Sequence, residues 1–508
     1  MKRNMTARHL MAAAVLAFTA ASAFATPGDV VIDDSPTRVQ TKIDIDMELM
    51  GTLRPKSVSE ISSSRWTLDC GGMDREHADW RAVRGYVAPL GIARIRQQAG
   101  WARCEKDPGM YDFAWLDQCV FDAKKMGVDV WMELSYGNPS YQGGGGRHLN
   151  AGFPSSEEGL KAWDNWVRAM AEHYKGTVKD WCVWNEPNGK SSGNTIETAT
   201  DFAVRTAEIL REVIPDANIS AFALTFADPE WIEPFVKELN RRGKTGLFNS
   251  IAYHHYKHNP DTGYEDVEAS RAIIAKYAPN LKLFEGEGGT QSEWCRNGAL
   301  SNTHWTELTQ AKYDLRRSLG DLGHGDDTEV FHLCDLEYRA VKHHYGLVRY
   351  GLIKTSGQAD GFRVLKVKTA YYAIQNAVSV FNDALECISP ATTSTIGGVE
   401  KAVIYDWKDR ATGTPVTVFW DASARPSDDN IVKPGKITVK GKPVVNPVWV
   451  DLLTGNVYAI PAEKIHYSKG KTVYEVPVYD SPAFVTSMDI LSLDYSWYVR
   501  EGKNLKRK

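Results

Sequence analysis

The chain has 508 residues, which at about 150 residues per domain leaves room for one large domain and a smaller one. Apolar residues make up 43% of it and charged residues 24%, values that exclude a disordered, fibrous or collagen-like chain. The 60 Lys and Arg residues nearly balance the 64 Asp and Glu residues. No basic run dominates, so the composition argues against a nucleic-acid partner.

The first 25 residues have the pattern of an export signal. Lys2, Arg3 and Arg8 precede an apolar stretch, residues 10–21, that is too short to span a membrane. Ala23-Phe24-Ala25 then matches a small-residue cleavage site. We expect residues 1–25 to be a signal peptide and the protein to be secreted or periplasmic. No later stretch reaches about 18 apolar residues, so no membrane association is expected.

Between residues 64 and 381, short β-rich runs alternate with amphipathic stretches of helical period. The predicted strands are 65–69, 93–98, 128–134, 178–183, 219–224, 250–256, 282–284 and 329–333, and the predicted helices are 79–90, 114–126, 157–174, 196–213, 229–240, 267–277, 306–319 and 366–381. This alternation indicates parallel βαβ units, and its length fits an α/β fold with one (β/α)8 TIM barrel. A doubly wound open sheet is the alternative, but no G-x-G-x-x-G follows the first strand.

After the barrel the helical period disappears. Residues 382–495 contain short strands separated by Gly, Pro and Asp turns, the pattern of an accessory C-terminal antiparallel β-sandwich. Residues 26–63 are also β-like, and we expect them to pack on this sandwich. The basic tail, 496–508, is expected to be mobile. Oligomeric state cannot be derived from the sequence.

The seven cysteines are scattered and include no C-x-x-C pair. This spacing fits neither a disulfide framework nor a zinc module. One or two disulfides would still be compatible with the sequence, which does not assign their pairing.

The first chemical motif is Trp-Asn-Glu-Pro at residues 184–187, directly after the fourth predicted strand. The carboxyl ends of barrel strands open onto the active-site face, so Asn185 and Glu186 are expected at the mouth. Pro187 cannot continue the strand ladder, which forces a turn there. The structural alternative is a helix-capping Asn followed by a surface Glu.

The second motif, Leu-Phe-Glu-Gly-Glu-Gly-Gly at residues 283–289, ends the seventh predicted strand. A carboxyl group there would face Glu186 across the mouth. One protonated and one ionised carboxyl group can together cleave a glycosidic bond, and retaining enzymes hold them about 5–5.5 Å apart. Glu285 and Glu287 compete for the ionised role, and strand alternation predicts both on one face. We favour Glu287, because it lies nearer the strand end and the Gly pair after it leaves room for a ligand.

These two motifs resemble those of the retaining glycoside hydrolases of clan A. Within the clan, about residues 64–490 resemble the xylosidase/iduronidase family, family 39, and its relatives more than the cellulase family. The resemblance implies that Glu186 is the acid/base, Glu287 the nucleophile and Asn185 a donor to the sugar 2-hydroxyl. The sequence departs from the family pattern T-E-[WYF] around the nucleophile, since Glu287 lies between Gly286 and Gly288.

The resemblance extends to two further strand ends. The clan places a H-x-Y element after strand six, matched by His254 and Tyr256, which alternation puts on one face. It also places an Arg near the nucleophile on strand two, matched by Arg96. Arg94 is the alternative candidate for this Arg. A purely structural ion pair within the barrel is the alternative to a contact with the nucleophile. No metal is expected from the neighbouring histidines, because adjacent strand residues point oppositely and no H-E-x-x-H occurs.

Aromatic and amide side chains near the strand ends are further candidates for contact with sugar rings. They include Trp101, Tyr136, Asn138 and either Trp294 or Trp305, while Asp335 and Glu337 are candidates to contact hydroxyls. The four consecutive glycines at 143–146 form either a loop that bends over substrate or a plain connection.

Together these features lead us to expect an exported retaining glycoside hydrolase with no cofactor. Its substrate would be a β-glycoside in a plant or microbial oligo- or polysaccharide, cleaved in exo fashion. The alternatives are a non-catalytic carbohydrate-binding barrel and an endo-acting glycanase of the same clan. A metal-dependent esterase lacks support, since no G-x-S-x-G elbow occurs. The sandwich either binds glycan or buttresses the barrel, and we favour the second role.

Overall fold

The computed structural model describes residues 43, 45–149, 151–341, 344–388, 394–495, 498–501 and 504–507. The predicted signal peptide and, from segment 26–63, residues 26–42 and 44 lie outside these ranges. The first strand, β1 (Glu48–Leu53), pairs with strands of the C-terminal sandwich rather than with the barrel.

The predicted TIM barrel is confirmed. Eight parallel strands within the described ranges form one sheet in chain order, and the first of them pairs with both the second and the last. They are β2 (Trp66–Asp69), β3 (Arg94–Gln98), β4 (Asp129–Glu133), β5 (Asp180–Cys182), β6 (Asn218–Leu224), β7 (Ser250–His254), β8 (Lys282–Glu287) and β9 (Thr328–Val330). The first residue of each strand lies within two residues of its predicted position.

Helices follow each barrel strand and pack on its outer surface. They are α1 (Trp80–Val83), α2 (Val87–Leu90), α3 (Trp101–Cys104), α4 (Ala114–Lys125), α5 (Glu157–Tyr174), α6 (Ile196–Val213), α7 (Pro229–Arg241), α8 (Tyr264–Tyr277), α9 (Glu307–Gly323) and α10 (Thr369–Val380). The start of α5 is fixed by Ser156 Oγ and that of α6 by Thr195 Oγ1, each accepting a backbone N–H of the first turn.

The first predicted helix, 79–90, is instead broken into α1, a 3-10 turn (Arg84–Tyr86) and α2. Gly85 lies at the break, and glycine is the weakest helix former after proline. Pro89 then removes a backbone donor from the second half. The hydrophobic period correctly predicted helical structure in this segment, but Gly85 and Pro89 prevent a single continuous helix.

The seam between β8 and β9 is closed partly by a side chain. Backbone bonds run from Glu285 N–H to Asp327 O at 3.2 Å and from Phe331 N–H to Gly288 O at 2.9 Å. Between them, Glu285 Oε2 accepts the backbone N–H of Glu329 at 2.5 Å. A carboxyl group thus replaces a ladder bond at this point of the barrel.

Two β-hairpins that the sequence pattern did not predict lie between β9 and α10. The first pairs β10 (Leu336–Val341) with β11 (His344–Val348), and the second pairs β12 (Ile353–Thr355) with β13 (Val364–Val367). Because β13 takes up residues predicted as helix, α10 begins at Thr369 rather than 366. The first hairpin and the chain after it reach the mouth of the barrel.

The C-terminal region is an antiparallel sandwich of two sheets, as predicted. In spatial order, the strands of the larger sheet are β14 (Leu385–Cys387), β16 (Ala402–Asp409), β17 (Pro415–Asp421), β23 (Ala483–Ser487), β19 (Pro447–Asp451), β20 (Asn456–Ala459), β1 and β24 (Leu493–Asp494). The strands of the smaller sheet are β15 (Thr395–Gly397), β18 (Lys433–Lys440), β22 (Lys471–Val478) and β21 (Ile465–Ser468). Buried side chains such as Trp449, Phe419 and Tyr474 fill the space between the sheets. In the tail, β25 (Tyr498–Glu501) and β26 (Asn504–Arg507) form a hairpin within the segment expected to be mobile.

Helix α9 joins the two domains through buried charges. Lys312 Nζ donates to Asp480 Oδ1 at 2.6 Å and to the carbonyl of Ser427 at 2.9 Å, both in the sandwich. Arg316 Nη2 donates to the carbonyl of Ala424 at 2.9 Å. Both side chains are fully buried, so this face of the sandwich packs against the barrel.

No disulfide links the seven cysteines, all of which lie in the described ranges. None of the helices in those ranges is both long enough and apolar enough to cross a membrane.

Candidate active site

Glu186 projects into the barrel mouth because the chain turns sharply at this residue. The ladder continues past β5 as far as Asn185, whose N–H donates to Ser135 Oγ at 2.9 Å. Glu186 then adopts a left-handed conformation with φ of 52°, although Pro187 follows it. Such a backbone costs about 1–3 kcal/mol and persists where the surroundings impose it, commonly at functional sites.

A β-bulge places Glu287 in the mouth and Glu285 outside it. In the register of β7 and β8, Tyr253 is opposite Glu285, but the next residue, His254, is opposite Glu287. Gly286 is therefore the extra residue, and it reverses the alternation. The expectation that both carboxyl groups share a face is wrong for this reason.

Glycine lies on both sides of Glu287, and little space is free beside either of the two. A Cβ on Gly286 would lie 2.9 Å from the Cβ of Ala252, and one on Gly288 would lie 2.8 Å from Glu285 Oε1. The departure from the T-E-[WYF] pattern at Glu287 thus has a steric cause in this chain.

The carboxyl groups of Glu186 and Glu287 lie close together around His254. One ligand atom from each of the three residues lies within 4.8 Å of the other two. This separation matches the short spacing of retaining glycosidases and is well below the roughly 6.5–9.5 Å of inverting ones.

Arg96, at the floor of the site, binds several acceptors at once. Its Nη1 contacts Asp69 Oδ2 at 2.6 Å and Glu287 Oε2 at 2.5 Å. Its Nη2 contacts Glu133 Oε2 at 2.8 Å and Asn185 Oδ1 at 2.7 Å. The side chain is fully buried, so this planar cation fixes the carboxylates by charge-assisted bonds. Arg94, by contrast, donates to Thr67 Oγ1 at 2.7 Å, away from the site.

Tyr256 and Asn185 complete the contacts of the two acidic groups. Tyr256 donates its hydroxyl proton to Glu287 Oε1 at 2.8 Å. Asn185 Nδ2 donates one hydrogen to the Tyr136 hydroxyl at 2.6 Å and has a second hydrogen available. Tyr136 is buried and contacts Asn185 without lining the cavity.

His254 bridges the two carboxyl groups, with Nδ1 3.0 Å from Glu186 Oε1 and Nε2 3.5 Å from Glu287 Oε2. Burial alone would lower the pKa of His254, but the charge of Glu287 and the hydrogen bond to Glu186 raise it above its ordinary value. Burial opposes ionisation of Glu186, yet His254, Arg96 and Arg75 hold the pKa of that carboxyl below its usual range. The proton of this pair therefore favours the imidazole when the site is empty.

Glu186, His254 and Glu287 also have the spacing of a metal site. Two carboxylates and one imidazole are acceptable ligands for zinc. The donors Arg96 and Tyr256, however, already occupy Glu287. A hydrogen-bonded proton site fits these contacts better than a metal.

The cavity at this site has a volume of about 180 Å³. Its lining includes several residues that sequence reasoning did not select as substrate contacts, namely Asp69, Arg75, Gln98, Phe331, Tyr338 and Tyr350. Asp69 and Gln98 end barrel strands, so the rule that found Glu186 could have identified them. Tyr338 and Tyr350 come from the unpredicted hairpin region, where the residues show no hydrophobic period.

Asp69 is held by a buried imidazolium. His332 Nε2 lies 3.2 Å from Asp69 Oδ1, and its Nδ1 lies 2.8 Å from the carbonyl of Cys334. Burial opposes protonation, but the contacts with Asp69 and Cys334 raise the pKa of His332 to about 10. The charge of Arg96 and these bonds outweigh burial and keep the pKa of Asp69 far below its ordinary value.

Several aromatic and amide candidates have structural positions instead. Trp101 is fully buried, stacks on Trp166 with ring centres 5.8 Å apart, and donates to Glu105. Asn138 is buried too and donates to the carbonyl of Glu105 at 2.7 Å. Neither lines the cavity, because the chain turns outward after β3 and β4 and places both behind the barrel wall.

The loop after β8 also differs from expectation. Trp294 is 52% exposed and does not line the cavity, while Trp305 is buried and donates to the carbonyl of Leu300 at 2.9 Å. Instead, the backbone at Gly298 and Ala299 forms the cavity wall.

Asp335 is a structural ion-pair residue rather than a hydroxyl contact. It is buried between Lys368 Nζ at 2.7 Å and Arg349 Nη1 at 2.8 Å. Glu337 accepts the backbone N–H of Gln358, and it does not line the cavity either.

Comparison with known proteins gives a likeness of fold. No family model matches the chain, and no curated protein does. Among solved structures, a family 39 glycoside hydrolase from Bacteroides cellulosilyticus WH2 resembles the chain with a TM-score of 0.60 and 16% identity, covering 83% of this chain and 80% of that one. A monomeric β-xylosidase from Caulobacter crescentus CB15 has a TM-score of 0.53 and 14% identity, covering 87% of this chain and 98% of that one. The GH39 enzyme from Xanthomonas axonopodis pv. citri has a TM-score of 0.54 and 14% identity, covering 88% of this chain and 98% of that one.

Proposed function

We propose that the protein is a retaining glycoside hydrolase that uses Glu186 and Glu287. The observation that carries this proposal is the approach of the two carboxyl groups, within 4.8 Å around His254, at the mouth of a TIM barrel. Support also comes from the fold, which is shared with a family 39 glycoside hydrolase and a β-xylosidase.

In the first step, a Glu287 oxygen attacks the anomeric carbon and forms a glycosyl ester. The bond from that carbon to the leaving oxygen breaks, and the leaving oxygen takes the proton of Glu186. Arg96 and Tyr256 each donate a hydrogen bond to one of the two oxygens of Glu287 and hold the carboxylate in position. The second hydrogen of Asn185 Nδ2 is available to the sugar 2-hydroxyl.

In the second step, ionised Glu186 removes a proton from water, and the resulting hydroxide oxygen attacks the anomeric carbon. The bond to Glu287 breaks, and the sugar leaves with its original configuration. Two inversions give net retention.

His254 supplies the proton that Glu186 needs. In the empty site this proton rests on the imidazole, favoured by the charge of Glu287. As Glu287 forms the ester it loses that charge, and the pKa of His254 falls. The Glu186–His254 pair therefore releases its proton at the stage when the leaving group requires it.

The cavity favours exo action on a terminal β-linked sugar. Its volume is only about 180 Å³, and its lining includes the bulky rings of Phe331, Tyr338 and Tyr350, which favours a site for a single sugar ring. An endo-acting glycanase needs a cleft open at both ends, so it is the weaker candidate.

The test is hydrolysis of a panel of aryl α- and β-glycosides by the wild type, Glu186→Ala and Glu287→Ala. We expect release from one β-glycoside, loss in both variants, and rescue by azide with opposite anomers of the glycosyl azide. Full activity in either variant would contradict the proposal. Treatment with EDTA should leave the activity unchanged, whereas a metal site at Glu186, His254 and Glu287 predicts its loss.

A further inference from the structure

The loop that follows β7, residues 255–263, connects the nucleophile with the sandwich domain. Near the start of this loop, Tyr256 donates its hydroxyl proton to Glu287 Oε1 at 2.8 Å. Near its end, the carboxyl group of Asp261 accepts hydrogen bonds from residues outside the loop. One short segment therefore reaches from the mouth of the barrel to the interface between the two domains.

Asp261 is held by donors from both domains. Trp420 Nε1, on β17 of the sandwich, donates to Asp261 Oδ1 at 3.0 Å. Arg316, on α9 of the barrel, donates from Nε to the same oxygen at 3.2 Å and from Nη2 to Oδ2. All three side chains are buried. Charge-assisted hydrogen bonds fix the position of a carboxylate that water does not reach, so Trp420 takes part in holding the loop.

The side chain of His255 ties the two ends of the loop together. Its Nε2 lies 3.1 Å from the carbonyl oxygen of Thr262, and Arg317 Nη1 lies 2.6 Å from its Nδ1, closer than to Nε2. Burial and the charge of Arg317 lower the pKa of His255 to about 4, so the ring is neutral near pH 7. A guanidinium group only donates, so the ring hydrogen is on Nε2 and is donated to Thr262.

Two further contacts keep the loop closed. Gly263 has a φ of 95°, and a Cβ there would lie 2.7 Å from His255 Nε2 and 2.6 Å from Lys257 Cε. Tyr313 of α9 donates its hydroxyl proton to the carbonyl of Lys257 at 2.7 Å. Because the loop packs so tightly on itself and on α9, we expect a displacement at Asp261 to reach the residues at its start.

We infer that the sandwich positions the nucleophile, because Trp420 acts through Asp261 and the loop after β7 to hold Tyr256 against Glu287. The inference rests on the proposed hydrolytic function and deepens it. Trp420 does not line the cavity at the barrel mouth, so it is a positioning residue rather than a catalytic one. A sandwich that only buttresses the barrel would contribute to stability without affecting kcat.

The test compares two buried tryptophans of the larger sandwich sheet. Trp420→Phe removes the N–H that Asp261 accepts and keeps an aromatic ring in place. Trp449→Phe is the matched control, since Trp449 Nε1 donates to the carbonyl of Pro477 at 3.1 Å, within the sandwich. Both variants and the wild type are assayed on the glycoside identified by the panel. Circular dichroism and urea unfolding verify the fold and measure the stability of each.

We expect Trp420→Phe to lower kcat at least about fivefold with KM within twofold of the wild type, because the loop contacts the nucleophile rather than the bound sugar. Trp449→Phe should leave kcat within twofold, although both variants lose stability. An unchanged kcat in Trp420→Phe, or equal losses in the two folded variants, would overturn the inference while leaving the hydrolase proposal intact. Failure of the wild type to cleave any glycoside would refute both.

A double variant tests the route through Tyr256. If Trp420 acts by holding Tyr256, adding Trp420→Phe to Tyr256→Phe should lower kcat less than twofold further, because the bond that Trp420 supports is already lost. Independent effects would instead multiply, and a full fivefold further loss in the double variant would contradict this route.

Asp261→Asn keeps the inference testable if Trp420→Phe does not fold. The amide offers one oxygen in place of two and carries no charge for Arg316. We expect kcat to fall at least as far as in Trp420→Phe, again with KM nearly unchanged. A folded Asp261→Asn variant with the kcat of the wild type would contradict the inference.

Discussion

Glu285 Oε1 accepts the backbone N–H of Glu287 at 2.8 Å. The two residues are two positions apart on one strand, yet only Glu287 lines the cavity at the mouth of the barrel. Glu285 lies on the outer side of the sheet, where Asp321 and Arg317 of α9 contribute to its electrostatic environment. It therefore helps to hold the bulge that directs the other carboxyl group inward.

Glu285→Gln distinguishes this positioning role from that of a nucleophile. Burial and the charge of Asp321 raise the pKa of Glu285 well above its ordinary value, so a neutral amide mimics its charge state. Gln offers one acceptor for two N–H groups, and we expect a stability loss of about 1–3 kcal/mol. Activity should remain at least a hundredfold above that of Glu287→Gln. Equal inactivity of the two folded variants would contradict the assignment.

Tyr256→Phe removes one donor from Glu287 without changing the shape of the site. A hydrogen bond to a charged group contributes about 1.5–3 kcal/mol, so we expect kcat to fall roughly ten- to hundredfold, since each 1.4 kcal/mol is a factor of ten. KM should change little, because the hydroxyl contacts the nucleophile. A variant with unchanged kcat would show that this bond does not orient Glu287.

The basic limb of the pH profile should report the proton on His254. Because the pKa of His254 is raised above 6.5, that limb of kcat/KM should lie above pH 6.5 in the wild type. In His254→Gln only the carboxyl group of Glu186 can hold the proton, so the limb should move to lower pH. The exposed His258 offers a control, and His258→Gln should leave the profile in place. An unshifted limb in His254→Gln would contradict the proton-sharing role.

Arg96→Met should destabilise the protein strongly near neutral pH. It leaves Asp69, Glu133 and Glu287 without their shared cation, and an uncompensated buried charge typically costs about 3–5 kcal/mol. The deficit, measured by urea unfolding, should shrink as the pH falls and the carboxylates become protonated. Arg94→Met, with a partly exposed side chain, should cost less than about 1 kcal/mol. Equal losses in both variants would contradict the central role of Arg96.

The barrel could be predicted because its strands and helices are local patterns of period two and 3.6. Glu186 followed from its position just after a strand end, and Arg96 from the resemblance to the clan. The bulge at Gly286 was missed because strand alternation assumes a regular ladder, and one extra residue reverses it. Tyr338 and Tyr350 were missed because hairpins inserted after β9 carry no signal of where they fold back.

Trp101 shows a different limit. Its place after a strand end gave the same signal as that of a substrate-contacting residue. The tertiary packing decides otherwise, because Gly100 takes a left-handed turn and the indole then stacks against Trp166 and Tyr141. Sequence position alone does not separate an aromatic side chain behind the wall from one inside the mouth.

The stereochemistry of the first product tests the two-carboxylate account most directly. The substrate identified by the glycoside panel is hydrolysed in an NMR tube, and the anomeric signals are followed from the first minutes, before mutarotation. The close spacing of Glu186 and Glu287 predicts that the sugar first appears in the configuration of the substrate. First appearance of the opposite anomer would contradict the account, because it requires a single displacement by water between more distant carboxyl groups.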